Sequence, residues 1–210
     1  MKSLLRDNGL TLVLMAMFLV SLCGMVLTGH AAFNAELADH GKPGLDLAAY
    51  LASGNFLSAL FENWESEFLQ MAAYVVLTAM LFQRGSAESR DPDDPRRAGD
   101  SLPWRHRHPV AGWFYGHSLG LALALLFVAS FALHGWFSMQ AANEEALLHG
   151  GEALPALAYL FDAHLWFESF QNWQSEFLST AVLAVLSIVL RQQGSPESKP
   201  VTAGDAQTGA

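Results

Sequence analysis

Phe61-Glu62-Asn63-Trp64-Glu65-Ser66-Glu67-Phe68-Leu69 and Phe170-Gln171-Asn172-Trp173-Gln174-Ser175-Glu176-Phe177-Leu178 are one stretch written twice. A displacement of 109 residues, from Trp64 to Trp173, aligns positions 7–90 with 116–199 without a gap. Self-similarity at a fixed offset means a duplicated structural unit, and it sets the frame for every other element.

Outward from the motif the copies continue to match. Ala49-Tyr50-Leu51 meets Ala158-Tyr159-Leu160, and Asn34, Glu36 and His40-Gly41 meet Asn143, Glu145 and His149-Gly150. On the other side Gln83, Gly85, Ser86, Glu88 and Ser89 meet Gln192, Gly194, Ser195, Glu197 and Ser198. The first repeat therefore occupies 1–90 and the second 110–193. Between them 91–109 is rich in charge, Pro and Gly and reads as a linker, and 194–210 reads as a disordered tail.

Each unit holds apolar stretches of membrane length. Leu10–Thr28 and Val110–Gln140 carry no charge, and about 20 apolar residues cross roughly 30 Å of hydrocarbon as a helix. Phe68–Gln83 and Phe177–Leu190 are shorter and borrow their outer turns from the polar motif before them. Spans are expected at about 10–28, 64–83, 112–138 and 171–190. The fold class is all-α and polytopic, with four transmembrane helices made by two parallel two-helix repeats. An even number of spans per unit inserts both copies in the same direction. The first span has the basic start of a signal peptide, but its apolar run exceeds a typical h-region and its copy recurs mid-chain, so it is expected to be retained.

Composition agrees. Hydrophobic residues make up 52% of the chain and charged residues 15%, against about 25% charged in soluble domains. A net charge of −9 with 11 scattered basic residues excludes a nucleic-acid surface, which needs clustered Lys and Arg. The lone Cys23 forms no internal disulfide.

With four spans, Lys2, Arg6, Arg84, Arg90, Arg96, Arg97, Arg105, Arg107, Arg191 and Lys199 fall on one side and Lys42 alone on the other. The positive-inside rule places that basic side, with both termini and the linker, in the cytoplasm. The outward loops each contain an apolar segment too short to span, Leu45–Phe61 and Leu154–Phe170, expected as interfacial or re-entrant helices. His106 and His108 beside Arg105 and Arg107 read as a solvated basic patch rather than a metal site.

The motif supplies the ligand or ion candidates: Asn63, Trp64, Ser66 and Glu67, with Asn172, Trp173, Ser175 and Glu176. Glu67 and Glu176 fall roughly 4 and 7 Å inside the outer hydrocarbon boundary at 1.5 Å per residue. Acids at such depth face protein, a partner or water and mark function by default. The alternative is structural, with the asparagines capping helix starts and the tryptophans anchoring at the headgroups. Glu36 with His40, and Glu145 with His149, are weak metal candidates, since residues four apart share a helix face. The glycines that follow argue for a capping role instead. His30 and His134 align with Met139 and Met25, which weakens a paired-haem reading.

The pattern N-x-E-x3-H-G, an apolar outer segment, the tryptophan motif and a closing Q-x-G-S-x-E-S resembles a family of small bacterial integral membrane proteins known only as a domain of unknown function. The resemblance covers nearly the whole chain and implies a four-helix bacterial membrane protein with no activity to carry over; with the cytoplasmic basic side, the expected location is the bacterial inner membrane. Gln171 and Gln174 stand where the first copy has Glu62 and Glu65, so any role for those acids is asymmetric. Three functions are consistent with this: a small transport or permeation protein using membrane-embedded acids, a non-catalytic envelope or stress-related protein that docks a partner, and a metal-dependent membrane enzyme. No cofactor is indicated. The lipid bilayer is the expected partner, and a second copy of the chain or a small-molecule or ion ligand is compatible with the pattern.

Overall fold

The computed structural model describes residues 2–95 and 108–209, with side chains from residue 6 onward. The linker residues 96–107, with Arg96, Arg97, Arg105, His106 and Arg107, lie outside the described residues. Among the described residues there are seven helices and no strand: α1 (Lys2–Asp39), α2 (Leu47–Leu51), α3 (Gly54–Met80), α4 (Pro109–Gly116), α5 (Ser118–Leu148), α6 (Ala156–Tyr159) and α7 (Ala163–Val189). The chain divides into two compact units, Met1–Ala59 with Trp136–Leu154, and Leu60–Gly135 with Pro155–Ala210.

In the first unit the duplicated N-x-E-x3-H-G pattern is a helix terminator. Gly41 and Gly150 adopt φ of 66° and 77°, a left-handed conformation cheap only for glycine. Lys42 N donates to Leu37 O at 2.8 Å and Gly151 N to Ala146 O at 2.8 Å, the six-to-one bond of a Schellman end. The imidazoles join in: His40 Nδ1 lies 2.9 Å from Glu36 O, and His149 Nδ1 lies 2.9 Å from Glu145 O. Asn34 then pins the returning chain, accepting from Leu45 N at 2.7 Å and donating to Leu45 O at 3.0 Å. Asn143 does the same to Leu154 at 2.8 and 2.9 Å. Asp46 caps α2 through Ala49 N, and Tyr50, only 3% exposed, packs on His30, Phe33 and Phe56.

In the second unit the duplicated Q-x-G-S-x-E-S is a turn that closes each long helix. Ser89 Oγ accepts from Gln83 N at 2.8 Å, and Ser198 Oγ accepts from Gln192 N at 2.8 Å. Gly85 and Gly194 sit at φ 84° and 83°. The segment expected to be a disordered tail is instead a run of turns over 194–209 tied back to this unit. Lys199, 1% exposed, donates its ammonium to the carbonyls of Gly204, Asp205 and Gln207, while Gly209 N donates to Ser86 O and Thr208 Oγ1 accepts from Gly85 N. Composition alone missed this because the ordering comes from one buried cation and backbone acceptors, not from apolar content.

Two helices, Arg6–Asp39 and Ser118–Leu148, are long and apolar enough to cross a membrane. Large apolar side chains stand exposed along both, among them Leu10 at 75%, Val20 at 73% and Leu125 at 69%, a density that water does not favour. α3 and α7, where the second and fourth spans are expected, do not reach the same standard. Glu62, Glu65 and Glu67 interrupt α3, Glu168 and Glu176 interrupt α7, and the uncharged helical remainders Phe68–Met80 and Phe177–Val189 fall short of about 20 residues.

Candidate functional site

α3, α5 and α7 bring their polar side chains to one buried centre in the second unit. Glu62 and Glu65 are three residues apart on α3 and share a face; Glu168 and Asn172 are four apart on α7 and do likewise. From α5, His134 enters with no exposure at all. His134 Nδ1 lies 2.5 Å from Glu65 Oε2, and on the ring's other side Nε2 lies 3.3 Å from Glu168 Oε2. Trp173 Nε1 donates to Glu65 Oε1 at 2.8 Å, so both oxygens of that carboxylate are engaged. Asn172 Nδ2 donates to Glu62 Oε1 at 2.5 Å, and His164 Nε2 lies 3.2 Å from Glu168 Oε1.

Burial grades across the centre. The Glu65 side chain is 1% exposed and that of Glu168 is 21%, so one end is sealed and the other is reached from outside. Trp173, which holds Glu65, packs in turn against Phe127, Phe131, Trp166 and Phe170. A carboxylate shut in this way is tolerated because each of its oxygens is met by a partner, since an unpaired buried charge is strongly destabilising.

The sequence-derived candidates separate into two groups. Asn172 and Trp173 belong to the buried centre, and Ser66, 3% exposed, donates to Asn63 O beside it. Asn63 and Glu67 are exposed, Trp64 is half-buried against Phe61, and Ser175 is exposed and donates to Asn172 O. Glu176 is half-buried, within electrostatic reach of Glu67 but outside the centre. The helix-start alternative for the motif is corrected: α3 begins at Gly54 and α7 at Ala163, capped by Asp162, so Asn63 and Asn172 lie well inside their helices.

Among the described residues the grouping of three potential metal donors is Glu62, His134 and Glu168, whose ligand atoms lie within 4.8 Å of one another. Glu36, His40, Glu145 and His149 share a cavity in the first unit and the two imidazoles stand 5.5 Å apart, but each ring spends one nitrogen on its own helix end.

Sequence reasoning missed Glu62, Glu65, His134 and Glu168 as a set. Their alignment partners are Gln171, Gln174, Met25 and Ala59. The charged groups of the centre stand where the two repeats differ, and that divergence was the available signal.

A second polar feature of this unit lies at the closing turn. Tyr74 donates its hydroxyl to Glu88 Oε2 at 2.8 Å, while Glu88 Oε1 is buried without a hydrogen-bond partner among the described residues. Burial pushes the Glu88 carboxyl above the usual carboxylate range; the Tyr74 bond opposes this and the neighbouring Glu197 adds to it.

Fold and site together define an all-helical protein with two helices able to cross a membrane and a buried carboxylate–imidazole centre. The chain belongs to the family described as "Domain of unknown function (DUF6766)", whose model matches residues 1–210, as the resemblance implied. No curated protein and no solved structure matches it.

Proposed function

We propose that the chain is a four-helix protein of the bacterial inner membrane, with both termini cytoplasmic, that binds and passes a cation through embedded carboxylates. The observation that carries this reading is the convergence of Glu62, Glu65 and Glu168 on His134, sealed at one end and reached from the other. Three carboxylates facing one imidazole leave a surplus of negative charge, and a surplus of that kind in a low-dielectric setting attracts a positive ion. The exposed apolar faces of α1 and α5 and the basic flanks on one side support the membrane placement. α3 and α7 would complete the four spans, their polar outer turns shielded by the centre they build.

The test is flux of radiolabelled or fluorescently reported monovalent and divalent cations into proteoliposomes. Flux above protein-free vesicles supports the proposal. Protein that inserts and is folded yet passes no cation would overturn it in favour of an envelope protein that docks a partner.

A further inference from the structure

We propose that Glu62, His134 and Glu168 bind a first-row divalent transition-metal ion, with Glu65 as the positioning residue behind the imidazole. This rests on the cation-binding part of the proposed function and names the class of ion.

The strongest argument is an opposition of acceptors. Glu65 Oε2 at 2.5 Å from His134 Nδ1 makes that nitrogen the proton donor, because Glu65 also takes the Trp173 N–H on its other oxygen and behaves as a carboxylate. A neutral ring then turns a lone pair on Nε2 toward Glu168 Oε2, itself an acceptor, at 3.3 Å. Two acceptors facing each other at that range are bridged by a shared proton or by a metal ion. Two donors each about 2.0–2.1 Å from a tetrahedral zinc ion stand about 3.4 Å apart, so the Nε2–Oε2 separation already matches shared coordination. The Glu62 carboxylate, held by Asn172, completes a set whose donor atoms all lie within 4.8 Å of one another.

Charge and ligand type narrow the ion. Glu62, Glu65 and Glu168 around a neutral His134 carry three negative charges, of which one divalent ion offsets two. An imidazole nitrogen with two carboxylate oxygens suits zinc, iron(II) or manganese(II); magnesium and calcium favour all-oxygen sets. A carboxylate on the far nitrogen of a ligating histidine orients the ring and raises its basicity, and losing such a partner typically costs 10–100-fold in metal affinity. Trp173 in turn fixes Glu65. The 21% exposure of Glu168 gives the ion its way in, and His164 beside Glu168 offers a further nitrogen at the mouth.

The experiment uses the full chain in detergent micelles, stripped with chelator and titrated with zinc chloride by calorimetry, with magnesium chloride as competitor. The expected result is one zinc per chain, undisturbed by millimolar magnesium. Affinity should fall at least tenfold in Glu62→Gln, His134→Gln and Glu168→Gln and about 10–100-fold in Glu65→Gln, with no change in the double variant His40→Gln, His149→Gln. No zinc uptake by wild-type protein, or undiminished uptake by folded His134→Gln and Glu168→Gln, would overturn the site. Should those variants not fold, cobalt(II) in the wild-type chain decides: intense visible bands of a low-coordinate nitrogen–oxygen site support it, and the weak spectrum of aquo-cobalt refutes it. Binding in micelles needs no gradient, so cation flux without zinc binding removes this inference alone, whereas zinc binding without flux removes the transport reading alone.

Discussion

Glu65 on α3 and His134 on α5 meet at 2.5 Å with side-chain exposures of 1% and 0%. Neither group is stable in an apolar interior without the other. His134→Leu should therefore lower stability by about 3–5 kcal/mol, because it strands a buried carboxylate. The double variant Glu65→Leu, His134→Leu should recover most of that loss. Unfolding of detergent-solubilised protein with added dodecyl sulfate measures both; a double variant as unstable as the sum of the singles would contradict the pairing.

Lys199 anchors the C-terminal turns through three backbone carbonyls. Lys199→Met removes the donors and leaves buried acceptors unmet, at a cost of about 1–3 kcal/mol confined to this region. Amide exchange at Gly85 and Gly209, whose N–H groups are bonded to Thr208 Oγ1 and Ser86 O, should accelerate. Unchanged protection at both would show that the turns do not depend on the ammonium.

The Glu88 carboxyl is pushed up by burial, with Tyr74 and Glu197 as its neighbours. A carboxyl raised in the folded state contributes favourably at low pH, and that contribution is lost as pH rises from the usual value of 4.5 through the folded one. Glu88→Gln keeps an acceptor for Tyr74 and removes the charge. Its melting temperature should exceed that of wild type at pH 7.5, and the gap should close toward pH 4. A gap that widens on acidification would reverse the sign and refute the assignment.

The membrane placement is tested by single cysteines in a background lacking Cys23. Cysteines at Ala38 and Leu147 should react with an impermeant maleimide in intact spheroplasts, and one at Ala206 should react only after permeabilisation. The opposite pattern would place the basic side outside.

The repeat made much of the architecture legible before any coordinates. At the helix ends and turns the shared residues do matching local work: Asn34 and Asn143 grip the returning chain, Gly41 and Gly150 end helices, Ser89 and Ser198 close turns. The buried centre was not legible, for a physical reason. The motif's acids Glu67 and Glu176 stand out in the sequence because they fall inside the expected hydrocarbon boundary. Yet Glu67 is two residues beyond Glu65, roughly 200° around the helix at 3.6 residues per turn, so it cannot share the face of Glu62 and Glu65. That angular argument picks the correct acids on α3. On α5 the same spacing puts Ser130, His134 and Ser138 on one buried face, but only the packing of α5 against α3 and α7 gives the imidazole its carboxylate partners.

In the proposed function, cation passage depends on the asymmetric centre around His134 and not on Glu67 and Glu176, the acids shared by both repeats. Cation flux in proteoliposomes, compared for wild type, Glu65→Gln and Glu67→Gln at equal insertion, tests it most directly. At least a tenfold loss is expected for Glu65→Gln and near wild-type flux for Glu67→Gln. Flux abolished by Glu67→Gln and untouched by Glu65→Gln would contradict it.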